Sequence, residues 1–222
     1  MQTMTLKKAQ SDAGKISLGN GKMPGSTFAI SATKCQVGTK LATVKDSTCS
    51  KCYALKLEKL RPSVHKGWLS NYEKAVNLIN SSPEKWVAAC VFQIERAFQK
   101  SGEAFHRWFD SGDLQSVAML QAICKVAEKT PHIAHWLPTR ESGMVKAFRK
   151  AGGVMPANLV VRVSSVMIGD GPISGHATTS TVHRKKGGHI GHACPASTQG
   201  NNCGTCRACW SPSVSNISYP LH

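Results

Sequence analysis

No apolar run in this 222-residue chain reaches the ~20 residues that a membrane-spanning helix needs, so no membrane span is predicted. The opening stretch MQTMTLKKAQSDAGK lacks the apolar block of a secretory leader, and a cytoplasmic location is expected. In that compartment disulfides are disfavoured, and clustered cysteines read as metal ligands. There is no internal repeat or low-complexity block, which sets aside repeat arrays and biased linkers. Acidic residues are scarce: 12 Asp and Glu stand against 28 Lys and Arg, a formal charge of +16. That excess predicts attraction to nucleic acid or another polyanion. Two features temper it: the lysines are scattered rather than gathered in a basic tail, and metal-bound thiolates would offset part of the charge.

A hydrophobic content of 41% argues for a globular fold and against a disordered chain. The length suits one domain with a sizeable core, or one domain with a small appendage. Residues 1–25 are polar and read as a loosely held arm. STFAISAT (26–33) reads as a first strand, followed at once by Cys35, a loop, and the closing stretch CSKCYALKLEKL. Helices are predicted over 64–80 and after SSPE, where Ser82 is an N-cap and Pro83 the first helical residue. In the second of these, Trp86, Cys90, Ile94, Ala97 and Phe98 share a face, which makes Cys90 a core residue.

The pattern then alternates. AFHRWFD (104–110), HIAHWLP (132–138) and NLVVRVSSVMI (158–168) read as strands. Between them lie a helix capped by Asp113, with Cys124 on its apolar face, and the helix RESGMVKAFRKAGG, which ends in glycine. Strand–helix alternation predicts an α/β fold with a parallel sheet and covering helices. Beyond Ile168 the chain is glycine-rich and is expected to be loop and short strand.

Seven of the nine cysteines fall in two groups. Cys35, Cys49 and Cys52 are spaced C-x13-C-x2-C; Cys194, Cys203, Cys206 and Cys209 are spaced C-x8-C-x2-C-x2-C. A tight C-x2-C-x2-C run suits an iron–sulfur cubane, each sulfur binding a different iron, whereas tetrahedral zinc more often uses two separated knuckles. The first group offers only three thiolates. It either recruits a fourth ligand, such as His65, or leaves one metal position open; a Cys3His zinc knot that pins the loop is the competing reading. His183, His189 and His192 stand near the second group as ligands or surface residues, and His132 and His135 fall on opposite faces of their strand.

Functional groups of parallel α/β folds gather at the C-terminal ends of strands. Those ends carry Cys35, then Asp110 to Asp113, then Thr139 to Glu141. Arg162, Ser164 and Ser165 lie along the last strand. Asp110 is not needed for capping, and Arg162 is costly to bury unless a carboxylate or ligand meets it.

Together CSKCYA, FHRWFDSGDLQS, WLPTRE, VVRVSSVMI and CPASTQGNNCGTCRACW resemble the gene product 88 family of bacteriophage iron–sulfur proteins, over most of residues 26–211. A more distant resemblance is to radical S-adenosylmethionine (SAM) enzymes, in which a three-cysteine loop follows the first strand of a partial (β/α) barrel and a GGE motif ends the second. Here SGD replaces GGE, and the first cysteine spacing is thirteen rather than three. The resemblances imply a partial (β/α) barrel or parallel sheet over 26–186 and a cysteine-rich iron–sulfur segment over 187–222. They imply one or two [4Fe–4S] clusters on the seven cysteines, and SAM held by Ser111, Gly112, Asp113, Arg162 and Ser164; the strand ends themselves offer Asp110 and Arg140 as catalytic candidates. They further imply a reductant protein as partner and a bacterial host cytoplasm, and the basic surface adds a nucleic-acid base as one substrate class. Two other readings stand beside this one. The first is an iron–sulfur protein without SAM, its clusters structural or electron-carrying and its basic face holding nucleic acid. The second is a zinc-stabilised interaction module.

Overall fold

The computed structural model describes residues 3–19, 21–184 and 188–221. The expected boundary between residues 186 and 187 therefore lies outside the described residues. Eight strands form one sheet: β1 (Ile16–Ser17), β2 (Ser26–Phe28), β3 (Phe105–Trp108), β4 (Ala134–Thr139), β5 (Leu159–Ser164), β6 (Thr179–His183), β7 (His192–Ala193) and β8 (Asn216–Pro220). Their order is β1-β2-β3-β4-β5-β6-β8-β7. Among the described residues only β1 runs antiparallel to its neighbour in the sheet; the other strand pairings are parallel. From β2 to β6 each crossover advances one place in the same direction. Over that span the strand order does not reverse, unlike that of a doubly wound sheet, and the C-terminal strand ends share one edge; β8 then inserts between β6 and β7.

Seven helices accompany the sheet among the described residues: α1 (Leu6–Ala13), α2 (Gln36–Ala42), α3 (Tyr53–Leu60), α4 (Pro62–Ser81), α5 (Pro83–Ser101), α6 (Val117–Lys129) and α7 (Ser142–Lys150). None is long and apolar enough to cross a membrane. Local chemistry sets the helix ends. Ser82 and Pro83 open α5, and Gly102, in the left-handed region at φ 72°, closes it. Every residue of β5 is buried, as expected of a parallel strand covered on both faces.

Period two divides the sheet. Phe28, Trp108, Leu137, Val161 and Val163 join the helices in one core with Trp86, Ile94, Leu120 and Ile123. Phe28 anchors it, its ring 6.1 Å from Trp86 and 6.0 Å from Trp108, both edge-on. Cys90 and Cys124 belong to this core, as the helical periodicity predicts. The alternate residues Arg107, Trp136, Pro138 and Ser164 face the other way and line a cavity.

Three expectations are corrected. Residues 1–25 are not simply a loose arm: α1 packs on the core through Ala9 and Ala13, both fully buried, and β1 pairs with β2. Asp113 does not cap α6, because Ser116 does so by accepting from the Met119 amide. The first strand stops at Phe28, and the long inter-cysteine spacing contains α2.

Candidate functional site

The first cysteine group forms where β2 runs out. A short 3-10 turn (Ala32–Lys34) delivers Cys35 to the start of α2, and Cys49 and Cys52 lie in the turn before α3. The amide of Cys52 donates to the Cys49 carbonyl at 3.1 Å and closes that turn. Gly38 shows how close the thiols come. A Cβ at this position would lie 2.9 Å from Cys35 Cβ, 3.6 Å from Cys35 Sγ and 3.7 Å from Cys49 Sγ, so both sulfurs flank one point that any side chain would fill. Burial, then Asp113 and the neighbouring thiols, push the Cys35 thiol up; Arg140 opposes them. Burial raises Cys49 too, again against Arg140. Neither thiol is poised to ionise unaided, and a bound cation would supply the missing stabilisation.

Asp113 positions Arg140. It is buried, and burial raises its carboxyl against three bonds: from Thr139 Oγ1 at 2.6 Å, the Arg140 amide at 2.9 Å and its own neighbour Leu114 N at 2.7 Å. These bonds tie the ends of β3 and β4 together, and Arg140 Nε reaches Thr48 Oγ1 at 2.8 Å, next to Cys49. Gly112, at φ +84°, brings the Ser111–Asp113 turn beneath Ile30; a Cβ there would stand 2.7 Å from the Ile30 carbonyl oxygen.

All three thiols open on a cavity of about 410 Å³, at the C-terminal ends of the parallel strands. That volume is in the range of small-molecule sites. Asp110, Ser111, Gly112, Asp113, Arg140 and Ser164 line it as well. Four polar atoms in its wall are buried and make no hydrogen bond within the chain: Arg107 Nε, Asp110 Oδ1, Ser111 Oγ and Trp136 Nε1. Ser164 Oγ is paired with Ser180 Oγ at 2.9 Å, and Tyr53 donates its hydroxyl to the Asp110 carbonyl. Burial also raises the Asp110 carboxyl, with Arg107 pulling it back down.

Arg162 stands apart from this group. It is fully buried yet does not line the cavity. Its guanidinium donates to the carbonyls of Cys209 (3.0 Å), Ala208 (2.9 Å), Ser211 (2.8 Å), Val214 (2.8 Å) and Thr179 (3.4 Å). Carbonyls, rather than the expected carboxylate or ligand, meet the buried charge, and they belong mostly to the C-terminal cysteine segment. His65 also lies elsewhere: its Nδ1 is 2.5 Å from Glu58 Oε2. His135 is buried in the sheet against Thr130, and His132 is bonded at the surface to Glu95.

The second cysteine group lies against the C-terminal strands. The Cys194 amide bonds Ser218 O at 2.9 Å, and the Cys203 amide bonds Lys22 O at 2.8 Å. Cys206 Sγ is 3.5 Å from His192 Nε2, and Cys209 Sγ is 3.4 Å from the Tyr219 hydroxyl. His183 instead bonds Ser218, with His189 beside its ring. Burial pushes the Cys209 thiol up to about 12; burial, then Cys194 and Cys206, raise Cys203. All nine cysteines are free. Among the described residues, no group of three or more His, Cys, Asp or Glu side chains stands ready to hold a metal ion. Metal binding at either group therefore requires the thiols to turn toward one another.

Sequence reasoning missed Arg107, Trp136 and Tyr219. Arg107 carried the same signal as Arg162, a cation in mid-strand, and period two places it opposite His106 and Trp108. Trp136 was hidden by its apolar neighbours. Tyr219 lies in β8, a strand that follows the glycine-rich stretch and carries no alternation clear enough to read.

A family model described as Gene product 88 matches residues 3–212. No curated protein and no solved structure matches the chain.

Proposed function

We infer that this chain, which belongs to the bacteriophage gene product 88 family, is an iron–sulfur protein with a SAM site. In this reading Cys35, Cys49 and Cys52 hold a [4Fe–4S] cluster whose open iron faces the cavity. Cys194, Cys203, Cys206 and Cys209 hold a second cluster, and the sequential parallel strands form a partial (β/α) barrel.

The observation that carries the reading is the opening of three thiols onto a 410 Å³ cavity whose wall holds buried polar atoms without partners. Three thiolates suit a cluster with one open iron. A closed zinc site needs a fourth ligand, and His65 is engaged with Glu58. Gly38 keeps a side chain away from Cys35 Sγ and Cys49 Sγ, so that both thiols are free to turn toward an inorganic core.

When bound, a cluster of this kind with SAM supplies one-electron chemistry at C–H bonds. The protein's part is placement. Ser111 Oγ and the Gly112 turn offer polar contacts to SAM, Asp113 holds Arg140 beside the thiols, and Ser164 adds a hydroxyl from β5. Arg162, committed to the C-terminal segment, is not a SAM contact in this account. Trp136, Trp210 and Phe105 exclude water from the inner face of the sheet, their rings 5.3 Å apart in two edge-on pairs through Trp210.

A reading without SAM has one observation in its favour. Trp210 follows Cys209 and packs on Trp136 in the cavity wall, a placement that also suits electron transfer from the second group.

The test is iron and acid-labile sulfide content of anaerobically purified protein. Two clusters are expected in the wild type. Cys49→Ala is expected to lose the first and stay soluble. Cys206→Ala is expected to lose the second and fall in stability, because metal binding is coupled to folding. Iron and sulfide unchanged in both variants would contradict the ligand assignment.

A further inference from the structure

Arg107 rises from the inner face of β3 into the cavity. Its guanidinium carbon lies 4.6 Å from the centroid of the Trp136 ring. Its Nε is buried and makes no hydrogen bond; a terminal nitrogen touches only Met23 Sδ, at 3.8 Å. Among the described residues no carboxylate lies within ion-pair distance of it. Stacking on indole recovers part of the cost of desolvating a cation, but leaves Nε without an acceptor and gives the fork only a weak thioether one.

Asp110 stands three residues further along, in the same wall. Its Oδ1 is also buried and also bonds nothing. Arg107 is near enough to draw the Asp110 carboxyl down against the effect of burial, yet the two side chains do not pair. Arg107 Nε and Asp110 Oδ1 therefore lie in one cavity wall without a partner from the protein, although Ser111 and Thr27 also bond the Asp110 carboxyl. Buried polar groups left this way cost stability unless a ligand meets them.

We propose that this wall binds an oxyanion-bearing substrate, a carboxylate or a phosphate, which docks on the guanidinium of Arg107 and offers a donor to Asp110. The inference rests on the cavity being the reaction site of the preceding section, but anion binding itself requires no cluster. Arg107 also lies near Cys203 and Cys209, whose thiols its charge lowers. A role confined to offsetting those thiolates is the alternative that the test must separate.

The experiment uses the full chain, purified anaerobically, titrated by calorimetry with inorganic phosphate and, separately, with glutarate. One probe is expected to bind saturably, and the one that binds tighter names the source of the oxyanion. Arg107→Lys, which keeps the charge and loses the fork, is expected to weaken binding at least tenfold while iron and sulfide content stays at the wild-type level. Lys125→Ala, which removes an exposed charge from α6 away from the cavity, is expected to bind like wild type, and an unchanged circular dichroism spectrum marks each variant as folded. Three results would overturn the proposal: no saturable binding of either probe to the wild type, equal affinity in Arg107→Lys, or loss of iron in Arg107→Lys with anion affinity intact. A wild type that binds the anion but contains no iron would sink the cluster reading and leave this site standing.

Discussion

Replacing Arg162 with methionine removes the donors that hold the C-terminal cysteine segment to β5. Five hydrogen bonds go at once, four of them to carbonyls between Ala208 and Val214 and one to Thr179 O in β6. Hydrogen bonds from a charged donor are worth about 1.5–3 kcal/mol each when removed singly, but they are not additive. The carbonyls of the segment are only partly buried and recover water, while removing the buried cation relieves its own desolvation. A net loss of about 3–5 kcal/mol follows, within the range for breaking a buried charged network. The expected assay results are a lower urea midpoint and new cleavage by a protease between residues 188 and 215, with a smaller fall in overall helicity because α1 and α4 to α7 pack on the opposite face. Arg162→Lys keeps the charge but has three donors for five acceptors, and is expected to recover less than half of the loss. A methionine variant within about 1 kcal/mol of wild type, with its C-terminal segment still resistant to protease, would refute the clamp.

Three further outcomes follow from the geometry. Gly38→Ala is expected to stay folded at a modestly lower melting temperature, since the new methyl meets Cys35 Cβ at 2.9 Å, and to lose iron because it crowds Cys35 Sγ and Cys49 Sγ; full iron content would show that the space beside Gly38 is not a cluster site. Gly112→Ala combines a φ of +84° with a Cβ 2.7 Å from Ile30 O. It is expected to cost about 2–4 kcal/mol in urea unfolding, with a loss below about 1 kcal/mol counting against the close approach. Acid should destabilise the core through His106 and His135. Burial lowers both, His135 to about 3, so the unfolded chain binds protons that the native chain refuses once pH falls below about 6.5. Stability is therefore full above that pH and falls toward pH 3, by at most about 1.4 kcal/mol per pH unit for each histidine. The raised Asp110 and Asp113 carboxyls act in the opposite sense. His135→Gln should flatten the decline between pH 6.5 and 5; an unchanged slope would exclude His135 as its source.

The sequence carried those parts of the fold that follow from strong periodicity. Strand and helix alternation from 104 to 168 is visible because each strand is an apolar run bounded by a helix cap or a glycine, and Cys90 and Cys124 fall on helical stripes that bury. The signal fails where side chains are small or polar. Helix α1 docks through two alanines spaced four apart, Ala9 and Ala13, too slight an apolar face to stand out in LKKAQSDA. Strands β6 and β8 contain serine and threonine that bond one another across the sheet, as Thr181 does with Ser218, rather than an apolar alternation.

At the site, spacing alone gathered the cysteines into their groups. The placement of Asp110, Ser111, Gly112, Asp113, Arg140 and Ser164 around one cavity follows from their being at strand ends. What escaped was partner choice. Asp113 looked like a helix cap because it precedes an apolar run, yet Ser116 stands one turn nearer to α6, and Asp113 closes β3 onto β4 instead. Arg162 needed a partner, but no local pattern marks carbonyls about 50 residues away as that partner.

The central claim is that the three-cysteine group carries a cluster with an open iron facing the cavity. It is tested most directly by low-temperature EPR of the anaerobically purified, reduced protein before and after SAM is added, in the wild type and in Cys206→Ala, where only the first cluster remains. The account predicts a SAM-shifted cubane signal in both, whereas Cys49→Ala keeps only the signal of the second cluster, which SAM leaves unmoved. A signal from the first group that SAM leaves unchanged, or protein that contains zinc and no iron, would contradict it.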